Sequence, residues 1–225
     1  MKSPNRKDRI DFLKPFITEE RLEKIIHHVQ YRTRHITVVI EDVFQPHNAS
    51  AVLRSCDCFG VQDVHIIENK NQYQVNQDVA LGSAQWLSLH TYNKSENNTN
   101  DCFQNLRKKG YRIIATTPHA NDIVLQDFDV STPFALVFGT EKDGLSSFAI
   151  ENADSCIKIP MYGFTESLNI SVSAAICLHF LTMKIRSEVK QWSINFEEQE
   201  ALILEWLHCS IKHSDVLERE FEKNF

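Results

Sequence analysis

Short β-branched runs alternate with stretches of helical apolar spacing along this chain, and that alternation constrains the fold more than any other feature. Ile36-Thr37-Val38-Val39-Ile40 is a continuous β-branched run of the sort buried in a parallel sheet. A turn at Pro46 and a helical pattern over 48–59 follow it. Further strands are expected over 64–67, 87–92, 111–116, 134–138 and 156–159, and helices near 101–109, 146–152 and 170–185. All six glycines fall at or near the ends of these elements, which marks their boundaries. The pattern predicts an α/β fold: a mostly parallel sheet flanked by helices, with helical extensions at both ends.

The extensions differ in charge. Residues 18–34 read as an amphipathic helix with Thr18 as N-cap, Leu22, Ile25, Ile26 and Val29 on the apolar side, and Arg21, Lys24, Arg32 and Arg34 outside. From Ser187 onward the pattern suits one or two helices with an apolar side of Phe196, Leu202, Leu204, Trp206 and Leu207. The expected division is a basic helical extension over 1–35, the main α/β domain over 36–186 and a helical tail over 187–225. Residues 1–35 hold nine Lys/Arg against five Asp/Glu, whereas 187–225 hold four against nine. The net charge of -6 does not announce a nucleic-acid binder, yet a basic end on an acidic chain is one form an RNA-facing arm takes.

Other classes lose support. At 225 residues, 42% hydrophobic and 24% charged, the chain can bury a sizeable core, which excludes disorder and fibrous arrays. No apolar run approaches the ~18 residues of a membrane span and the first residues lack a secretory leader's apolar segment, so a cytoplasmic protein is expected, with no membrane partner. Six cysteines without a C-x-x-C pair lead us to expect neither disulfides nor a metal, with Cys56 and Cys58 as small core residues. Residues 93–100 read as a polar surface loop. G-x-G-x-x-G and Walker signatures are absent, and His47, His90, His119 and His179 lack an obvious nucleophile partner.

Ligands of open α/β sheets bind beyond the carboxyl ends of strands, which directs attention to three segments. In Pro46-His47-Asn48-Ala49-Ser50-Ala51-Val52-Leu53-Arg54-Ser55, Asn48 is a candidate cap and Arg54 sits in an apolar helix pattern, where a guanidinium wants a carboxylate or phosphate. The plainer reading is a cap and a surface arginine. In Phe138-Gly139-Thr140-Glu141-Lys142-Asp143-Gly144-Leu145, Gly139 permits close ligand approach and Glu141 is either functional or a structural partner for an arginine. In Ile159-Pro160-Met161 followed by Ser167-Leu168-Asn169-Ile170-Ser171-Val172, an apolar loop leads to a second cap, Asn169, and suits either an adenine-type ligand or buried packing.

Together these segments resemble the three motifs of the SpoU class, the TrmH-type RNA ribose 2′-O-methyltransferases of the SPOUT superfamily. Glu41-Asp42-Val43 ahead of the first motif, and Ala80-Leu81-Gly82-Ser83 before Trp86, are similar to the tRNA guanosine-18 branch. The resemblance implies a SPOUT fold with a C-terminal trefoil knot, S-adenosylmethionine as methyl donor, no metal, and a homodimer acting on tRNA or alternatively rRNA. It places donor contacts on Thr116, Gly139, Ile159 and Leu168, the catalytic arginine on Arg54, and supporting catalytic roles on Asn48, Glu141, Ser167 and Asn169. The acidic tail departs from the family's basic C-terminal helices. That shifts expected phosphate contacts to Arg6, Lys7, Arg9, Arg32, Arg34 and His35. Methylation of rRNA or the anticodon loop, and a non-catalytic RNA-binding protein of the same fold, are the alternatives.

Overall fold

The computed structural model describes residues 4–43, 45–71, 82–118, 123–140 and 142–224. Among them seven strands form one sheet in which every pairing is parallel. The strands are β1 (Ile36–Glu41), β2 (Asp63–Ile67), β3 (Ser88–Tyr92), β4 (Arg112–Thr116), β5 (Ile123–Val124), β6 (Phe134–Phe138) and β7 (Ser155–Lys158), in spatial order β3-β2-β1-β6-β4-β7-β5. The chain builds outward from β1 through β2 to β3, then crosses to the other side, where the later β6 and β7 lie between earlier strands.

Apolar alternation explains the layers. Ile36, Val38 and Ile40 of β1 and Phe134, Leu136 and Phe138 of β6 join a core with helices α3 (Pro46–Phe59) and α6 (Ile170–Glu188). Val39, Ala135 and Val137, pointing the other way, pack with Cys102, Phe103 and Leu106 of α4 (Asn98–Lys108) and Ala149 of α5 (Ser147–Glu151). Helices therefore cover both faces, which is why β1 and β6 are buried along their whole length.

Contacts divide the chain into two compact units, residues 33–192 and a second that joins residues 1–32 with 193–225. In the second, α1 (Arg6–Leu13), α2 (Glu19–Val29), α7 (Phe196–Ser210) and α8 (Ser214–Asn224) bury Ile10, Leu13, Ile25, Val29, Leu202, Trp206 and Leu207. Arg9 makes two hydrogen bonds to the Glu218 carboxylate, at 2.9 and 2.5 Å, and the Arg32 guanidinium lies 4.9 Å from the Trp206 ring centroid. Basic and acidic ends are thus complementary parts of one helical unit.

Several local expectations need correction. Thr18 caps α2 and Asn169 caps α6, but the first helix of the sheet unit starts at Pro46, so Asn48 lies inside its first turn rather than at the cap. The polar loop ends at Asn97, because Asn98 and Thr99 are buried in α4, bonded to the Glu68 carbonyl and the Glu41 carboxylate. Cys58 is exposed, unlike buried Cys56, and Phe196 is 72% exposed despite its apolar character. Among the described residues no helix is long and apolar enough to cross a membrane.

Candidate active site

A cavity of about 310 Å³ opens at the carboxyl ends of β4, β6 and β7. Its walls include Thr116, Gly139, Ile159 and Leu168, so four positions spread over more than 50 residues of sequence converge on one space. Leu145, Ile157 and Cys177 make the floor apolar, and Thr117, Asp143, Ser167 and Ser173 place polar groups around it. This is the lining that fits a purine with a charged, polar appendage, at the lower end of the ~300–1,000 Å³ range of small-ligand sites. The Thr116 hydroxyl donates to the Val137 carbonyl, 2.8 Å away, and so ties β4 to β6 at the rim.

Gly139 serves the loop more directly than it serves a ligand. A Cβ there would lie 2.2 Å from the Gly144 carbonyl oxygen, because the segment folds back on itself. The Thr140 and Gly144 backbones exchange hydrogen bonds of 2.9 and 3.1 Å, and the Thr140 hydroxyl accepts from the Asp143 amide. Glu141 lies outside the described residues, as do His119, Ala80 and Leu81.

The first and third motifs meet through their asparagines. Asn169 caps α6 by accepting from the Ser171 amide at 2.8 Å, while its own side-chain amide donates to Asn48 Oδ1 at 3.3 Å. Asn48, 4% exposed, in turn donates to Gln45 Oε1 at 3.0 Å. Arg54 does not lie on the apolar face of its helix. Val52, Leu53 and Cys56 point into the core, while Arg54 is exposed and makes no hydrogen bond or ion pair among the described residues. It lines an open groove of about 700 Å³ with His47, Ala51, Phe59, Val172 and Ile176. Groove and cavity have no lining residue in common.

The six basic positions expected to meet phosphate are scattered in role. Arg9 and Arg32 are engaged inside the helical unit, Arg6 donates to the Glu197 carbonyl, and Lys7 is exposed. Arg34 pairs with Asp63 at 2.7 Å, and His35 Nε2 lies 2.7 Å from the Val130 carbonyl oxygen.

Two features escaped sequence reasoning. Tyr162 and Phe164 are essentially fully exposed, at 97% and 108%, on the loop that contributes Met161, Ser167 and Leu168 to the cavity. Alternation with Gly163 carried no periodic signal to flag them. At the far end of the sheet, Asp63 accepts from Arg34 and pairs with His90 at 2.9 Å, while His65 stacks on His90. Burial alone would raise the Asp63 carboxyl, but the His90 hydrogen bond and Arg34 outweigh it and hold it below the ordinary range. Burial, helped by His90, pushes His65 down to about 3, so its imidazole stays neutral.

Comparison with known proteins gives a consistent neighbourhood. Residues 35–179 match the SpoU rRNA Methylase family. A tRNA (guanosine(18)-2'-O)-methyltransferase of Borreliella burgdorferi is 39% identical over 210 residues, 93% of this chain and 94% of the relative. Among solved structures, the Aquifex aeolicus TrmH/SpoU tRNA modifying enzyme superposes with a TM-score of 0.76 at 27% identity, covering 86% of this chain and 98% of that one. The Streptomyces viridochromogenes SpoU methyltransferase AviRb, solved with AdoMet, shares the fold at a TM-score of 0.60 and 23% identity, over 72% and 64% of the two chains.

Proposed function

This chain belongs to the SpoU methylase family, and from that membership we propose that it transfers the methyl group of S-adenosylmethionine to a ribose 2′-hydroxyl of tRNA, at guanosine-18. The observation that carries the reading is the convergence of Thr116, Gly139, Ile159 and Leu168 on one cavity at the carboxyl ends of the strands. Similarity over 93% of the chain to a guanosine-18 enzyme supports the choice of nucleotide.

S-adenosylmethionine bound there supplies an electrophilic sulfonium methyl, whose S–C bond breaks as the ribose O–C bond forms. The residues of the chain align the acceptor and manage its charge. Arg54 is the group for the second task, since a guanidinium stays protonated in proteins and so stabilises developing alkoxide and grips phosphate rather than taking the proton. The proton leaves to a neighbouring group or water. Asn169 and Asn48 hold the starts of α6 and α3 together, which sets the direction in which α3 carries Arg54.

Within one chain Arg54 faces a groove separate from the donor cavity, and the groove is apolar with half-exposed Val172 and Ile176. A second copy packed on that face would cover it and bring one copy's Arg54 to the other's donor, so a homodimer is part of the proposal. The SPOUT knot is another part, supported by the late strands β6 and β7 lying between earlier ones. Tyr162 and Phe164, beside the cavity, offer faces on which bases flanking the target can stack. Exposed Lys7, together with Arg6, is the remaining candidate for phosphate contact from the basic end.

The test is transfer from methyl-labelled S-adenosylmethionine to an unmodified tRNA transcript, followed by nucleoside mass spectrometry. The expected product is 2′-O-methylguanosine at position 18, abolished by a 2′-deoxy substitution there. Label at another nucleotide, or in rRNA instead, overturns the substrate, and RNA binding without transfer overturns the activity.

A further inference from the structure

We infer that Glu41 is a positioning residue for the donor cavity: its carboxylate closes the loop after β6 into the shape that receives the methyl donor. The inference rests on reading that cavity as the donor site. Glu41 is the last residue of β1 and 2% exposed. Ile40 pairs with Phe138 across the sheet, so Glu41 stands at the level where β6 gives way to Gly139. The loop that starts there returns to the same carboxylate. The Ser146 amide donates to Glu41 Oε2 at 2.9 Å and the Ser146 hydroxyl to Oε1 at 2.9 Å, immediately after Leu145, whose side chain lines the cavity. Thr99 of α4 supplies a third donor at 2.6 Å.

Each hydroxyl already has an acceptor role that fixes its proton. Ser146 Oγ accepts from the Ala149 amide as the cap of α5, and Thr99 Oγ1 accepts from the Asn69 side-chain amide at 2.8 Å. Both therefore direct their protons at Glu41, which acts as acceptor in all three bonds. No cation pairs with it among the described residues, and a buried carboxylate held only by neutral donors is a poor choice for stability alone. What it does provide is a fixed point common to β1, α4 and the donor loop. An amide in its place would aim its NH2 group at the Ser146 amide or, flipped, at the two hydroxyls, so Glu41→Gln keeps the volume and sets donor against donor, leaving at least one unsatisfied.

The experiment compares wild type with Glu41→Gln by calorimetric titration of S-adenosylmethionine, by separate KM values for donor and tRNA, and by amide hydrogen exchange. We expect donor Kd and donor KM to rise about tenfold, as one unsatisfied buried donor implies. The tRNA KM should stay constant, and exchange should quicken at 143–146 but not in β6. A donor Kd within twofold of wild type overturns the inference. So does faster exchange throughout the sheet with both KM values raised together, the signature of a merely structural residue. Should Glu41→Gln fail to fold, Thr99→Val removes one of the three bonds. It must raise donor Kd severalfold, and an unchanged Kd overturns the inference. Wild-type protein that binds no donor overturns instead the reading of the cavity on which the inference depends.

Discussion

The cavity proposed for the methyl donor and the Arg54 groove occupy opposite sides of the first turns of α6, and they differ in how finished each is within one chain. Ile170, Ser173 and Cys177 face the cavity, whose loop is closed by its own backbone bonds and by Glu41. Ser171, Val172, Ala175 and Ile176 face the groove, where apolar surface stays open and the guanidinium is unpaired among the described residues. On the proposed reading, donor binding is a property of the single chain, whereas methyl transfer draws on a second copy packed against the groove. The two functions should separate under mutation.

The largest effect is expected at Arg54. Replacing it with alanine removes the group proposed to stabilise developing charge, which should lower kcat about 10²–10³-fold with donor Kd unchanged in calorimetry. Arg54→Lys should retain little of the activity, because a point charge does not reproduce a planar fork on phosphate. If donor affinity fell with kcat, the two sides would not be separable. A smaller effect, of about tenfold on turnover, is expected from Ile176→Asp, which places a charge on the apolar groove that a second copy would cover. Sedimentation should then report a weakened dimer, whose residual population accounts for the turnover that remains, with donor affinity unchanged. A dimer of unchanged affinity would place the interface elsewhere.

The smallest effect on this comparison comes from the opposite end of the sheet. His65 is held neutral by burial, with its pKa near 3 against an ordinary 6.5, so the unfolded chain takes up a proton that the native one refuses. Stability present above pH 6.5 is lost progressively as pH falls toward 3, on the order of 2 kcal/mol by pH 5. Asp63, whose pKa is lowered in the fold, adds a further loss only as pH drops through the carboxylate range. Denaturant midpoints between pH 8 and 4 should show the decline, and His65→Gln should flatten its upper part. Between pH 8 and 6 the Arg54 and donor effects should keep their ratio.

Sequence reasoning reached six of the seven strands among the described residues, because central parallel strands are mostly apolar and their ends carry glycine and proline; the two-residue β5 (Ile123–Val124) was too short to leave such a signal. It reached the cavity residues through motifs and not through periodicity, which cannot say that Thr116 and Leu168 meet. It placed Arg54 in an apolar pattern, yet one residue is a 100° step around a helix, and that step turns it from the core face of Leu53 to the exposed side. The pairing of the two chain ends was hidden for a similar reason. Charges of opposite sign more than 200 residues apart read as separate appendages until Arg9 is seen on Glu218. Glu41 was visible only as part of a family-like tripeptide, since its partners Thr99 and Ser146 are distant in sequence and neutral.

Complementation between inactive copies tests the central claim most directly. Arg54→Ala protein keeps its cavity, and Ile159→Trp protein, with the cavity filled, keeps its arginine. If cavity and Arg54 act across a two-fold interface, random mixing makes half the dimers hybrid with one working site each, and about one quarter of wild-type activity returns. No return of activity on mixing, with hybrid dimers demonstrated by mass, would contradict the account and place both groups of each working site in a single chain.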